Sequence, residues 1–196
     1  MADVPAGVSW FRTPSDGDPG TLNACYQALD LHVIRGRADE VALDLAGRPL
    51  TFAWLLAEVG ACAGVLRAFG VGIGAPVLVG ALPAEAALVV ALAVARVGGV
   101  ATYDEDADAR VAVLQRDGEA VVRADAEDLP WDVAMRAGRT DPAGCADVPG
   151  DAVLARRGAD ALTVLEAVGA HDLAAPAGLH VVEIGDARFW TSAPAA

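Results

Sequence analysis

"PVLVGALPAEAALVVALAVARVGGVATYD", residues 76–104, decides the fold. Pro76 to Leu82 is an apolar run with no polar alternation, as in a strand covered on both faces. Pro83 can open a helix, because its missing N–H is no loss in a first turn. The helical stretch runs to Val97 and stops at Gly98-Gly99, the usual glycine exit. "GVATYD" then resumes as a strand. Strand, helix and strand in this order form a right-handed crossover between parallel strands.

Upstream lies "FGVGIGAPV", residues 69–77, with closely spaced glycines. A phosphate loop needs Lys-Ser/Thr after its last Gly, but Ala75 and Pro76 follow Gly74. A dinucleotide fingerprint needs strand, glycines, helix, and here the order is reversed. The stretch reads as a turn from helix to strand. Before it, "AWLLAEVGACAGVLRAFG" is helical. "VALDLA" and "PLTF" are strands about a Gly47-Arg48 turn, and "LNACYQALDLHV" is a helix capped by Thr21.

Downstream, "DADARVAVLQRDG" reads as a helix and "EAVVRAD" as a strand. The expectation is an α/β fold: a mostly parallel sheet of "VALDL", "PVLVGAL", "GVATYD" and "EAVVRAD", with helices on both faces. Residues 125–150 are loop around a short helix, "WDVAMRAG". Then come strand "AVLAR", helix "ADALTVLEAVGA" and a hairpin, "LHVVEIGDARFW", turning at Gly185-Asp186. The division expected is an irregular arm at 1–20, the α/β domain at 21–154, and a segment at 155–196 packed back on the core.

The 196 residues suffice for one such domain with a buried core. A formal net charge of -13 sets the chain against nucleic acid. Every basic residue is Arg and none is Lys, which excludes Schiff-base chemistry. The N-terminus has no basic and apolar leader pattern, and Pro83 and Glu85 interrupt the most apolar region. No membrane contact and a cytoplasmic location are expected.

Cys25, Cys62 and Cys145 are widely spaced without CxxC and read as small core residues. His32 sits inside the first helix and reads as structural. His171-Asp172 has the composition of an acid/base pair, but no motif places a nucleophile beside it. His180 completes the histidines. Asp104, Glu105, Asp106 and Asp108 follow a strand end, where open α/β sheets bind ligands. A metal is one reading, and a solvated loop is the simpler one. Arg156-Arg157 reads as a surface pair rather than a phosphate site.

"GTLNACYQALDLHVIRGRADEVAL" resembles the opening of acetyl-CoA and propionyl-CoA synthetases, which are adenylate-forming acyl-CoA ligases. That opening has Trp-Phe, then Leu-Asn-x-x-x-Asn-x-x-Asp-x-His, and Trp10, Phe11, Leu22, Asn23, Ala28, Leu29, Asp30 and His32 fall on this frame. "LTFAWLLAEV…LRAFGVGIGAPVLVGALPAEAALVVALAVARVGGV" resembles the family's TYAEL…LGVGKGDRV…MPxxPEAVxAMLACARIGAV. "DLPWDVAMRAGRTDPAGCADVPGDAVLA" resembles the approach to the adenylation loop. The likeness runs from about Trp10 to Leu154 and implies the first part of the large ligase domain.

The same resemblance marks departures. The family's Lys, Asp and Arg in GVGKGDRV are Ile73, Ala75 and Pro76 here. Where relatives carry the hydroxyl-rich loop YTSGTTGKPKG, this chain has "AVLARRGADALTVLEAVGAHD". Near the CoA site of relatives, the acidic "TYDEDAD" replaces FGGF. The expectation is a truncated, degenerate relative with no catalytic, cofactor or metal residues. Its role would be binding, regulation or scaffolding toward a protein partner or a second copy. A ligase component needing a partner lobe and a small acyl or nucleotide binding module remain the alternatives.

Overall fold

The computed structural model describes residues 7–169 and 172–194. Strand β1 (Thr21–Leu22) leads into a π-helical turn, Tyr26–Asp30, continued by α1 (Leu31–Ile34). A ribbon of β2 (Val41–Leu45) and β3 (Arg48–Thr51) follows, then α2 (Phe52–Ala68), β4 (Pro76–Val79), α3 (Ala84–Val97) and β5 (Val100–Thr102). Next come β6 (Val111–Arg116), β7 (Glu119–Ala124), β8 (Glu127–Pro130), α4 (Trp131–Gly138) and β9 (Val148–Pro149). The chain continues through β10 (Val153–Arg157), β11 (Asp160–Thr163), α5 (Val164–Gly169), β12 (His180–Ile184) and β13 (Ala187–Thr191).

The central sheet has the order β11-β10-β5-β4-β6-β7-β8. Its middle strands β10, β5, β4 and β6 are mutually parallel, and antiparallel hairpins extend both edges. The expected α/β sheet is present, with "PVLV" in the middle. Val77, Val79, Val113 and Val122 are buried, while Leu78, Leu114 and Val121 between them are only half-buried. One side of the sheet is therefore core and the other is partly open. Every residue of α3 from Ala86 to Val97 is buried, because the helix is enclosed by α2, β4, β5 and β13. Among the described residues, no helix is long and apolar enough to cross a membrane.

Several expectations are corrected. "VALDL" is not in the central sheet but pairs only with β3, around a turn at Ala46-Gly47. Its alternating Asp44 and its mixed burial suit a two-stranded ribbon. "VAVLQR" is strand β6, not helix. Asp117 and Gly118, both at positive φ, close a two-residue turn into β7. An Asp-Gly pair between apolar runs is a strong hairpin signal, and it overrides helical spacing. "DALT" likewise is strand β11, across a Gly158-Ala159 turn from β10. Helix α5 starts after Thr163, whose N–H and hydroxyl both meet the Glu166 carboxylate at 2.8 Å in a capping box. The first helix is capped by Asn23 rather than Thr21: its Oδ1 accepts from the Cys25 and Tyr26 amides at 3.0 and 3.2 Å. Thr21 instead belongs to β1, opposite Pro149.

The glycine-rich connector turns the chain. Gly70 and Gly74 take positive φ, and the Gly74 N–H donates to the Gly98 carbonyl at 2.8 Å. Glycine has a different task where α4 crosses α2. A Cβ on Gly138 would lie 2.1 Å from the Ala61 carbonyl oxygen, and one on Gly64 2.3 Å from that of Asp141. Backbone meets backbone there, so neither position has room for a methyl group. Gly138→Ala is expected to cost at least about 1–3 kcal/mol in urea unfolding. Gly72→Ala, where a Cβ meets nothing within 4 Å, is expected to stay within about 0.5 kcal/mol of the parent.

Candidate functional site

Strand order creates a crevice. The chain passes from β4 to β5 on one side and returns to β6 on the other, so the strand ends diverge around β4. Ligands of open α/β sheets bind at such a switch point. A cavity of about 590 Å³ lies there, with Leu78, Gly80 and Leu114 among its apolar lining and Glu105, Arg116 and Arg123 among its polar lining. Arg123 is held by Asp128 through two hydrogen bonds of 2.7 and 2.8 Å. Tyr103, at the end of β5, is fully buried and donates its hydroxyl to the Trp190 carbonyl at 2.5 Å. Burial raises its pKa.

The acidic run after β5 divides. Asp104 accepts the Gly158 N–H on both carboxylate oxygens, at 2.9 and 3.0 Å, which ties the β10–β11 turn to the end of β5. Glu105 faces the crevice, and Asp106 and Asp108 are exposed. Their carboxylates do not converge on a metal position. Arg156 and Arg157 alternate on a strand: Arg156 is exposed, while Arg157 donates to the Tyr103 carbonyl. They do not form a paired anion site. His171 lies outside the described residues, so the His171-Asp172 pair does too, and His180 is exposed on β12.

His32 is fully buried and stacked on Phe52, with ring centroids 4.5 Å apart. Its Nδ1 lies 2.8 Å from Arg37 Nη1, which can only donate, so the ring proton is on Nε2. Nε2 faces Asp186 Oδ2 at 3.5 Å and has no hydrogen-bond partner. Burial lowers the His32 pKa, Asp186 opposes this, and Arg37 and Arg35 add to the lowering. The folded state therefore takes up this proton less readily than the unfolded chain. This contribution to stability is full above the unfolded value of about 6.5 and is lost as pH falls toward the folded pKa. Melting temperature is expected to fall between about pH 7 and pH 5, with a shallower slope in His32→Asn. Equal slopes would count against the assignment.

A second cluster was not found by sequence reasoning. Asn23 Nδ2 donates to the carbonyls of Ala95, Arg96 and Ala146 at 3.1, 3.1 and 2.9 Å. Arg96, nearly buried on α3, donates to both oxygens of Asp30 at 2.7 and 3.1 Å and through Nε to the Ala143 carbonyl at 2.7 Å. Burial disfavours its charge, but the Asp30 hydrogen bonds and the neighbouring Cys25 and Cys145 outweigh it, and the Arg96 pKa is raised. The signal was available: Arg96 is the one charge in the apolar run from Ala86 to Val100, and such a charge needs a partner. Cys25, Asp30 and Cys145 also place their ligand atoms within 4.8 Å of one another. Arg96→Ala is expected to cost about 3–5 kcal/mol in urea unfolding by stranding Asp30. Arg96→Met with Asp30→Leu should cost less than Arg96→Ala alone.

No family model matches the chain. It is 36% identical over 108 residues to an acetyl-coenzyme A synthetase from Rhodopirellula baltica, covering 49% of this chain and 15% of that protein. Against the acetyl-coenzyme A synthetase of Streptomyces coelicolor it is 34% identical over 132 residues, covering 58% and 19%. In fold it is similar to apo MatB from Rhodopseudomonas palustris, with a TM-score of 0.54, 18% identity and coverage of 74% of this chain and 36% of that one. The anthranilate CoA ligase AuaEII, solved with anthranoyl-AMP, gives a TM-score of 0.56 at 16% identity, covering 73% and 33%. The chain is a relative of the adenylate-forming acyl-CoA ligases. It spans less than a fifth of the length of these two synthetases. Within the segments that resemble these ligases, Asn23, Asp30 and Arg96 form the interlocked cluster, and His32 packs the first helix on Phe52. These are structural positions.

Proposed function

We propose that the chain is a binding relative of the acyl-CoA ligases that does not itself adenylate a carboxylate. The observation that carries this reading is the turn after β10. The resemblance puts a hydroxyl-rich, lysine-bearing phosphate loop at this place. Here the strand closes on a two-residue hairpin, and the Gly158 amide is already bonded to the Asp104 carboxylate at 2.9 and 3.0 Å. A carboxylate held there repels phosphate and occupies the backbone donor that would receive it. The chain offers no Lys to offset that charge.

The crevice favours a small ligand with a short apolar part and one negative charge. Leu78 and Leu114 supply the apolar contact and Arg116 the charge. A short-chain carboxylate has this chemistry. A second reading, a protein partner or second copy, is favoured by Ile73, which is 56% exposed where the similar segments carry Lys.

Pyrophosphate exchange with ATP and acetate or propionate is expected to stay at the no-protein control, and exchange above it would overturn the non-ligase reading. Titration calorimetry with propionate is expected to show saturable heat at about micromolar to millimolar ligand, lost in Leu114→Arg. No heat, together with self-association that Ile73→Lys removes, would replace the small-ligand reading with the second one.

A further inference from the structure

We propose that Cys25 and Cys145 form a reversible dithiol–disulfide pair that pins the first helix to the loop at 139–147. The two residues are far apart in sequence, yet the fold brings their sulfur atoms within 4.8 Å of each other. They are not equivalent. Cys25 is fully buried. Cys145 is half-buried at a groove of about 410 Å³, lined also by Arg67, Ile73 and Gly144, so a small solute reaches Cys145 first.

Polar groups complete the arrangement. The Cys145 thiol points at Asp30 Oδ2 at 3.7 Å, and Arg96 Nη1 lies 3.7 Å from Cys25 Sγ. The Cys145 S–H is thus directed at the Asp30 carboxylate, and the Arg96 guanidinium faces the Cys25 sulfur. The same guanidinium argues against a metal, because it already supplies the positive charge and holds both Asp30 oxygens. Neighbouring Cys25 and burial hold the Cys145 thiol protonated, so exchange is slow and quickens with rising pH.

The oxidant is a low-molecular-weight disulfide, RSSR. The Cys145 thiolate attacks one sulfur, the S–S bond of RSSR breaks, and one RS⁻ leaves and takes up the proton. The Cys25 thiolate then attacks Cys145 Sγ in the mixed disulfide and expels the second RS⁻, which is also protonated. Two protein thiols are oxidised to one disulfide, and RSSR is reduced to two RSH. Cys62 has no part: it is fully buried and its thiol is pushed up to about 12 by burial.

The test incubates the folded chain with glutathione disulfide at pH 8 and maps bonds after alkylation without reduction. The expected product is a Cys25–Cys145 linked peptide, with the loss of two hydrogens in intact mass and recovery on adding dithiothreitol. Cys25→Ser should stop at glutathione on Cys145, Cys145→Ser should not react, and Cys62→Ser should behave as the parent. If Cys25→Ser does not fold, Cys25→Ala serves in its place. Glutathione retained on Cys145 in the parent, a bond to Cys62, or thiols that react only after denaturation would each overturn the proposal.

Discussion

Arg96 is the constraint on which the remaining packing depends. It places a guanidinium inside a helix that is buried along almost its whole length. An unpaired charge there would cost several kcal/mol, so the fold must deliver partners to it. Asp30 arrives from the π-helical turn and the Ala143 carbonyl from the loop after α4. Asn23 answers from the other side, bonding the carbonyls of Ala95 and Arg96 and the loop carbonyl of Ala146. Three segments distant in sequence thus share one polar junction. The junction also fixes where the loop leaves α4, which brings Gly138 against the Ala61 carbonyl and Asp141 against Gly64. The tight α2–α4 crossing and the convergence of Cys25 and Cys145 follow from it.

What could be read from the sequence was what local chemistry decides alone. Pro83 and Gly98 bracket α3 as expected, and Pro76–Val79 is the middle strand because its run has no polar break. The resemblance is repeated by relatives found through sequence and through fold. Misreadings arose where a short turn outweighed periodicity. Asp117-Gly118 and Gly158-Ala159 each reverse the chain within two residues, so the flanking segments become strands despite helical spacing. The acidic run was seen, but its use was not. Only the tertiary structure shows that Asp104 spends its charge on the Gly158 amide. Cys25 and Asp30 share one helix, but no spacing rule joins them to Arg96 and Cys145, which stand far along the chain.

Residues 180–191 are integral to this arrangement. Val182, Ile184, Phe189 and Trp190 are buried, and β13 packs on both α3 and α5. Burying side chains of this size contributes roughly 1.5–3 kcal/mol each. Two polar contacts orient the hairpin. Tyr103 donates to the Trp190 carbonyl at one end, and the Gly185-Asp186 turn sits over His32 at the other. A Cβ on Gly185 would fall 2.3 Å from His32 Nε2, so this turn can lie on the imidazole only as glycine. The buried histidine and the hairpin turn therefore constrain each other, and the protonation state of one bears on the docking of the other.

The crevice and the chemistry beside it have separate origins. Strand order alone opens a cavity at the β4 switch point, whatever side chains follow the strands. The turns then decide what the cavity can do. In this chain one substitution pattern acts twice. The acidic run after β5 sets Glu105 on the crevice, and its first member closes the β10–β11 turn by bonding Gly158. Arg157 reinforces the closure by donating to the carbonyl of Tyr103, the residue that also anchors β13. Opening that turn to admit a phosphate would break bonds that hold the end of β5, the β10–β11 hairpin and the C-terminal strands together. A closed turn and a stable sheet edge are thus held by the same set of bonds.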